Sequence, residues 1–63
     1  MNKGKLIGYS LNDKRTLSRL KKELGNDYQT AINNGYFIRF DDSGEEPIYI
    51  FTQKGHDFAW GRD

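Results

Sequence analysis

The chain is 63 residues long with a formal net charge of +1 and no cysteine, which excludes disulfide staples, thiolate nucleophiles and thiolate metal sites. A chain this short makes one small domain with a thin core, since about 60 residues bury only roughly 60% of their unfolded surface; four Tyr, four Phe and one Trp are the main material for that core. No run approaches the ~18 apolar residues of a membrane span, the N-terminal MNKGKLIGYSLND lacks the apolar region of a signal peptide, and a cytoplasmic setting is expected.

In chain order, KLIGYSL (5–11) mixes apolar and polar positions around Ile, Tyr and Leu and predicts a short strand. NDKRTLSRLKKELG predicts a helix capped by Asn12 or Asp13, with Leu17, Leu20 and Leu24 on one stripe and Gly25 as its stop. The far side of that helix carries Arg15, Ser18, Arg19 and Lys22, with Lys14 and Lys21 flanking. NDYQTAINNG predicts a second helix of barely two turns, held only by packing of Tyr28, Ala31 and Ile32. Asn26 or Asp27 would cap it and Gly35 end it, leaving Gln29, Thr30 and Asn33 outward with Asn34 near the terminus.

YFIRF (36–40) and IYIFT (48–52) are strand-like by residue type. Between them DDSGEEP supplies Gly44 for a turn and Pro47 for a strand start, so the two runs form a hairpin. QKGHDFAW then predicts one helical turn, capped by Thr52, with Phe58 packing back. The expected fold is α+β: strand, two helices, a two-stranded hairpin and a short C-terminal helical turn.

AINNGYFIRF, a turn and IYIFTQKGHDFA together resemble the end of a winged helix-turn-helix domain. In that family a recognition helix ends in a glycine-plus-apolar step, here Asn34-Gly35-Tyr36-Phe37, and a two-stranded wing follows. A turn of the form Thr52-Gln53-Lys54-Gly55 then opens the next helix, and LSRLKKELG is similar to the helix before the recognition helix. The resemblance spans roughly residues 12–59, and the family's usual first helix is missing. It implies a single winged-helix-like domain over residues 1–63 that acts as a small DNA-binding regulator.

Residues 1–25 hold seven bases against two acids, a net +5, and residues 26–63 hold three against seven, a net −4. This split steers an acidic partner to one end of the chain, unless folding mixes the charges. Phosphate binding needs spaced cations, because counterion release supplies most of the affinity. Lys14, Arg15, Arg19, Lys21 and Lys22 meet that need, and Arg39 and Lys54 could assist from the base of the wing. Gln29, Thr30 and Asn33 are side chains able to match base edges in the major groove. A homodimer would lengthen the site read, because one short helix reads few bases.

The hairpin tip carries Asp41, Asp42, Glu45 and Glu46, which would repel phosphate. The tip therefore points away from DNA, or engages a basic protein, or only keeps two aromatic strands from pairing with neighbours. The rival function is a protein-interaction module, an inhibitor or adaptor, that uses this tip and exposed aromatics. Stacking of single-stranded bases on the aromatic sheet is a third reading, and Trp60 is the ring best placed for an interface. Catalysis requires a constellation of groups. The lone His56 beside Asp57 makes none by spacing, and DDSGEE lacks a calcium-loop pattern. No enzyme activity, cofactor or metal is expected.

Overall fold

The structure, a computed structural model, describes residues 1–41 and 44–62. Its elements are β1 (Lys14–Thr16), α1 (Leu17–Leu24), α2 (Tyr28–Asn33), β2 (Phe37–Asp41), β3 (Ile48–Phe51) and α3 (Gln53–Ala59), with 3-10 turns at Lys3–Lys5 and Gly25–Asp27. One antiparallel sheet in the order β1-β3-β2 packs with the helices, an α+β arrangement.

The N-terminal segment departs from the strand expected over 5–11. It forms a 3-10 turn followed by further hydrogen-bonded turns, and it contributes Leu6 and Tyr9 to the core. The strand lies instead at Lys14–Thr16, where the start of a helix was expected. Two local devices set that boundary. Asp13 accepts from the Ser10 amide at 2.8 Å and so closes a turn, with Asn12 at φ 71°. Thr16 is extended (φ −69°, ψ 159°) and its hydroxyl accepts from the Arg19 amide, which makes it the N-cap of α1. Pairing with β3 (Lys14↔Ile50, Arg15↔Tyr49, Thr16↔Ile48) then fixes the three residues as strand.

Two of the three stripe leucines of α1 reach the core: Leu20 and Leu24 are buried, Leu17 in the first turn is only half-buried, and Gly25 ends the helix at φ 60°. Asn26 and Asp27 do not cap α2 through their side chains. They belong to a 3-10 turn, and Asp27 pairs with Lys5 at 2.7 Å. That contact holds the Asp27 carboxyl below its usual range, chiefly through the hydrogen bond from Lys5. Packing supports the short α2, through buried Ala31 and through Tyr28 and Ile32 against the core.

β2 and β3 pair as Phe37↔Phe51, Ile38↔Ile50 and Arg39↔Tyr49, with a bulge between Arg39 and Asp41. Phe37 and Phe51 face inward with Tyr9, and the three ring centroids lie 5.1–5.4 Å apart. Leu6, Leu20, Leu24, Ala31, Tyr36 and Ala59 complete the buried apolar core among the described residues. The C-terminal helix is longer than the single turn expected, running Gln53–Ala59. Thr52 caps it, accepting from the Gly55 amide at 3.1 Å, while its hydroxyl donates to the Gly35 carbonyl at 2.6 Å. Gly55 is there for proximity: an added Cβ would lie 2.7 Å from the Phe51 ring and 2.8 Å from the Tyr36 carbonyl oxygen. Phe58 packs back as expected, stacked on Tyr36 at 4.5 Å.

Candidate nucleic-acid interface

The sequence-derived cations do not share one helix face, because β1 removes Lys14 and Arg15 from α1. Lys14, Arg15, Thr16 and Arg19 instead line an open cleft of about 460 Å³ at the β1–α1 junction. Glu23 bridges the two arginines of this lining. One of its oxygens accepts from the Tyr9 hydroxyl and from Arg15 Nε at 3.2 Å, and the other accepts from Arg19 Nε at 2.6 Å. Arg15 also lies 4.9 Å over the Tyr9 ring, donates to the Lys14 carbonyl at 2.8 Å and approaches Asp13 at 3.8 Å. The Tyr9 hydrogen bond, with help from both arginines, holds the Glu23 carboxyl below its usual range. Burial, followed by Glu23 itself, pushes the Tyr9 phenol up. Arg15 and Arg19 are thus braced by an internal acid, which leaves their outer N–H groups as the only donors they can offer an external anion.

The remaining cations are arranged differently. Lys14 Nζ lies 4.8 Å over the Phe40 ring, on the far face of the sheet. Lys21 Nζ lies 5.3 Å over the ring of Tyr28, the first residue of α2. Lys22 is exposed on α1. Lys54 runs alongside Gly35, just past the end of α2, with its Cδ 3.7 Å from where a Cβ would stand. Arg39 is exposed on β2, in one row across the sheet with Tyr49 and Arg15, and it engages other groups of the chain.

Gln29, Thr30 and Asn33 are all exposed, as the spacing predicts. Gln29 Nε2 donates to Asn33 Oδ1 at 3.1 Å, so the two amides are aligned as a pair one helical turn apart. The Gln29 carbonyl oxygen remains an acceptor and the Asn33 amide a donor, the combination an adenine edge requires. Along the chain, Lys21 meets α2 at its first residue, Tyr28, and Lys54 lies beside Gly35 just past its end.

The acidic hairpin divides by role. Glu46 is drawn to the N-terminus of α1, accepting from the Ser18 amide at 3.2 Å and the Ser18 hydroxyl at 2.7 Å. The Ser18 hydroxyl and amide, and then the Thr16 hydroxyl, hold its carboxyl below the usual range. The Leu17 amide donates to the Pro47 carbonyl at 3.0 Å, so loop and helix are joined by main chain as well. A carboxylate at the positive end of a helix dipole is favourable, and this role takes Glu46 out of the set available to a basic partner. Asp41 engages other groups of the chain, Glu45 is exposed, and Asp42 lies outside the described residues.

Sequence reasoning missed the internal partners of both acids, Glu23 and Glu46. The spacing of Arg19 and Glu23 marks a helical ion pair, so half of the Glu23 cluster was visible in principle. No local signal joins Glu46 to Ser18. Of the aromatics, Trp60 and Phe40 are exposed, while Phe37 and Phe51 are fully buried. No helix among the described residues is long and apolar enough to cross a membrane. No protein-family model, curated protein or solved structure matches the chain.

Proposed function

We propose that this chain is a small, non-catalytic DNA-binding regulator of winged-helix type, working in the cytoplasm with α2 as its reading helix. The observation that carries the proposal is the exposed Gln29–Asn33 amide pair, with Thr30 also exposed, on a helix that Lys21 meets at Tyr28 and Lys54 meets at Gly35. Two helices joined by a short glycine-led turn, preceded by β1 and followed by a hairpin in the same sheet, are consistent with that reading. Lys21, Lys22 and Lys54 anchor phosphates, and Lys14 and Arg39 assist from the sheet. Arg15 and Arg19 contribute through the donors that Glu23 leaves over.

Titrating duplex DNA at two salt concentrations tests the proposal. Binding must weaken as salt rises, and replacing Lys21, Lys22 or Lys54 by Ala should each lower the log–log salt slope by about 1. Gln29→Ala and Asn33→Ala should cost roughly 1–3 kcal/mol on the preferred sequence and less on others. Absence of binding at low salt, or affinity indifferent to salt, refutes it.

The exposure of Ile38 and Phe40 favours a second reading, a protein-interaction module. Charge reversal at Asp41, Asp42 and Glu45 separates the two, with Glu46 left intact because it caps α1. A DNA reader should then bind nucleic acid more tightly, whereas a module that needs the acidic tip should lose its partner.

A further inference from the structure

β1 is an edge strand, paired with β3 along one side. In an antiparallel ladder, successive residues turn their main chain to opposite sides of the strand. The Phe51 amide donates to the Asp13 carbonyl at 2.8 Å and the Leu17 amide to the Pro47 carbonyl at 3.0 Å. Residues 13, 15 and 17 therefore face β3, and Lys14 and Thr16 turn theirs to the open edge. Both carbonyls on that edge are taken. The Lys14 carbonyl accepts from Arg15 Nη1 at 2.8 Å, and the carbonyl of Thr16, the N-cap of α1, starts the helical ladder. The two amides are left over, with no hydrogen-bond partner among the described residues. Arg15, which reaches the outward Lys14 carbonyl, is also a wall of the cleft at the β1–α1 junction, so the edge lines that cleft. We infer that the cleft is a phosphate-binding site, in which the Lys14 and Thr16 amides and the Arg19 guanidinium hold the phosphate oxygens.

The supply of donors without main-chain acceptors selects the ligand. An added peptide strand needs both in alternation, whereas an oxyanion only accepts. The two amides stand about 7 Å apart along the strand, and Arg19 approaches from α1. Arg19 spends Nε on Glu23 at 2.6 Å, and its terminal nitrogens have no hydrogen-bond partner among the described residues; its side chain is 66% exposed. That free fork matches phosphate geometry. Lys14 gives the cleft its main chain, since its ammonium lies over Phe40. The acids nearby are already engaged: Asp13 by the Ser10 amide, Glu23 by Tyr9 and both arginines, Glu46 by Ser18. Residues 13–23 still hold five bases against two acids, so the field at this end of α1 favours an anion. A volume of about 460 Å³ leaves room for the group that carries the phosphate. The site uses neither α2 nor the hairpin and stands apart from the reading of bases.

Amide NMR of the isotope-labelled full chain, titrated with inorganic phosphate at constant ionic strength, should show saturable shifts at Lys14 and Thr16. Thr16→Pro removes one of the proposed donors. The native φ of −69° suits proline and the lost N–H lies outside the ladder, so the strand is expected to survive. Its reference is Thr16→Ala, which loses the same hydroxyl and keeps the N–H. Thr16→Pro should bind phosphate at least about tenfold more weakly than Thr16→Ala, the effect of one hydrogen bond to a charged group. Arg19→Ala should weaken binding by a similar factor and carries the test alone if Thr16→Pro does not fold, which far-UV circular dichroism reports. Duplex DNA in a second titration separates the sources of phosphate. Shifts with inorganic phosphate alone assign a free phosphate or phosphomonoester, and shifts with duplex alone assign backbone phosphate. A duplex that moves α2 amides but leaves Lys14 and Thr16 still, when phosphate does too, overturns the inference and spares the nucleic-acid reading. Phosphate that moves them while duplex moves nothing supports the inference and sinks that reading. Binding unmoved by the two substitutions, or acetate bound as tightly as phosphate, also overturns it.

Discussion

Replacing Gly55 by alanine probes the tightest of the chain's glycine sites. An alanine in a helix interior normally gains about 1 kcal/mol over glycine, so α3 by itself would favour the change. The surroundings oppose it. The new Cβ would stand 2.7 Å from the Phe51 ring, 2.8 Å from the Tyr36 carbonyl oxygen and 3.0 Å from Tyr36 Cβ. None of these can swing aside: Phe51 is fully buried against Tyr9 and Phe37, and the Tyr36 carbonyl accepts from the Thr52 amide at 2.9 Å. Relief requires α3 to lift from the hairpin, and overpacking of this kind costs typically 1–3 kcal/mol, occasionally more. With the upper end applying to backbone overlap, the net loss is about 2 kcal/mol. For a domain stabilised by roughly 0.05–0.15 kcal/mol per residue, that is a large share of the total. The midpoint of thermal unfolding should fall by about 10 °C. Urea and thermal unfolding followed by far-UV circular dichroism measure both quantities. Gly8→Ala is the control, since a Cβ there meets nothing within 4 Å, and it should stay within about 0.5 kcal/mol of wild type. A Gly55→Ala chain as stable as wild type, or a Gly8→Ala chain that falls as far, refutes the reasoning.

Thr52→Ala removes the α3 cap and a hydroxyl that donates to the Gly35 carbonyl. It should lower stability by about 1–2 kcal/mol in urea unfolding, whereas Thr52→Ser should keep most of it. Acid should unfold the domain through Glu23 and Glu46. Both carboxyls titrate below their usual 4.5 in the folded chain, so the unfolded chain binds more protons as pH falls. Their stabilisation is therefore complete above about pH 4.5 and lost below it, and Glu23→Gln should flatten part of that decline in the thermal midpoint. A midpoint unchanged between pH 6 and pH 3 contradicts this (~3 units spanning the glutamate range).

Where a signal lies within a few residues, the sequence by itself determined the outcome. The leucine spacing set the buried side of α1, Gly25 set its end, and Thr52 set the start of α3. Residue type marked β2 and β3 as strands, and helical spacing left Gln29, Thr30 and Asn33 outside; which strand face is buried, that of Phe37 and Phe51, was settled by packing. Tertiary structure decided the rest. KLIGYSL has strand-like residues but no strand partner, while Lys14–Thr16 has one in β3, and a strand exists only where a neighbour completes its hydrogen bonds. Glu23 gathers Tyr9, Arg15 and Arg19 from three segments, and this redistributed the cations that sequence reading had placed on a single helix face. Glu46 reaches Ser18 across 28 residues and turns part of an apparently free acidic tip into a helix cap. Local preference is written in neighbours along the chain, but a charge's availability depends on what folding brings beside it, and that only the packed molecule specifies.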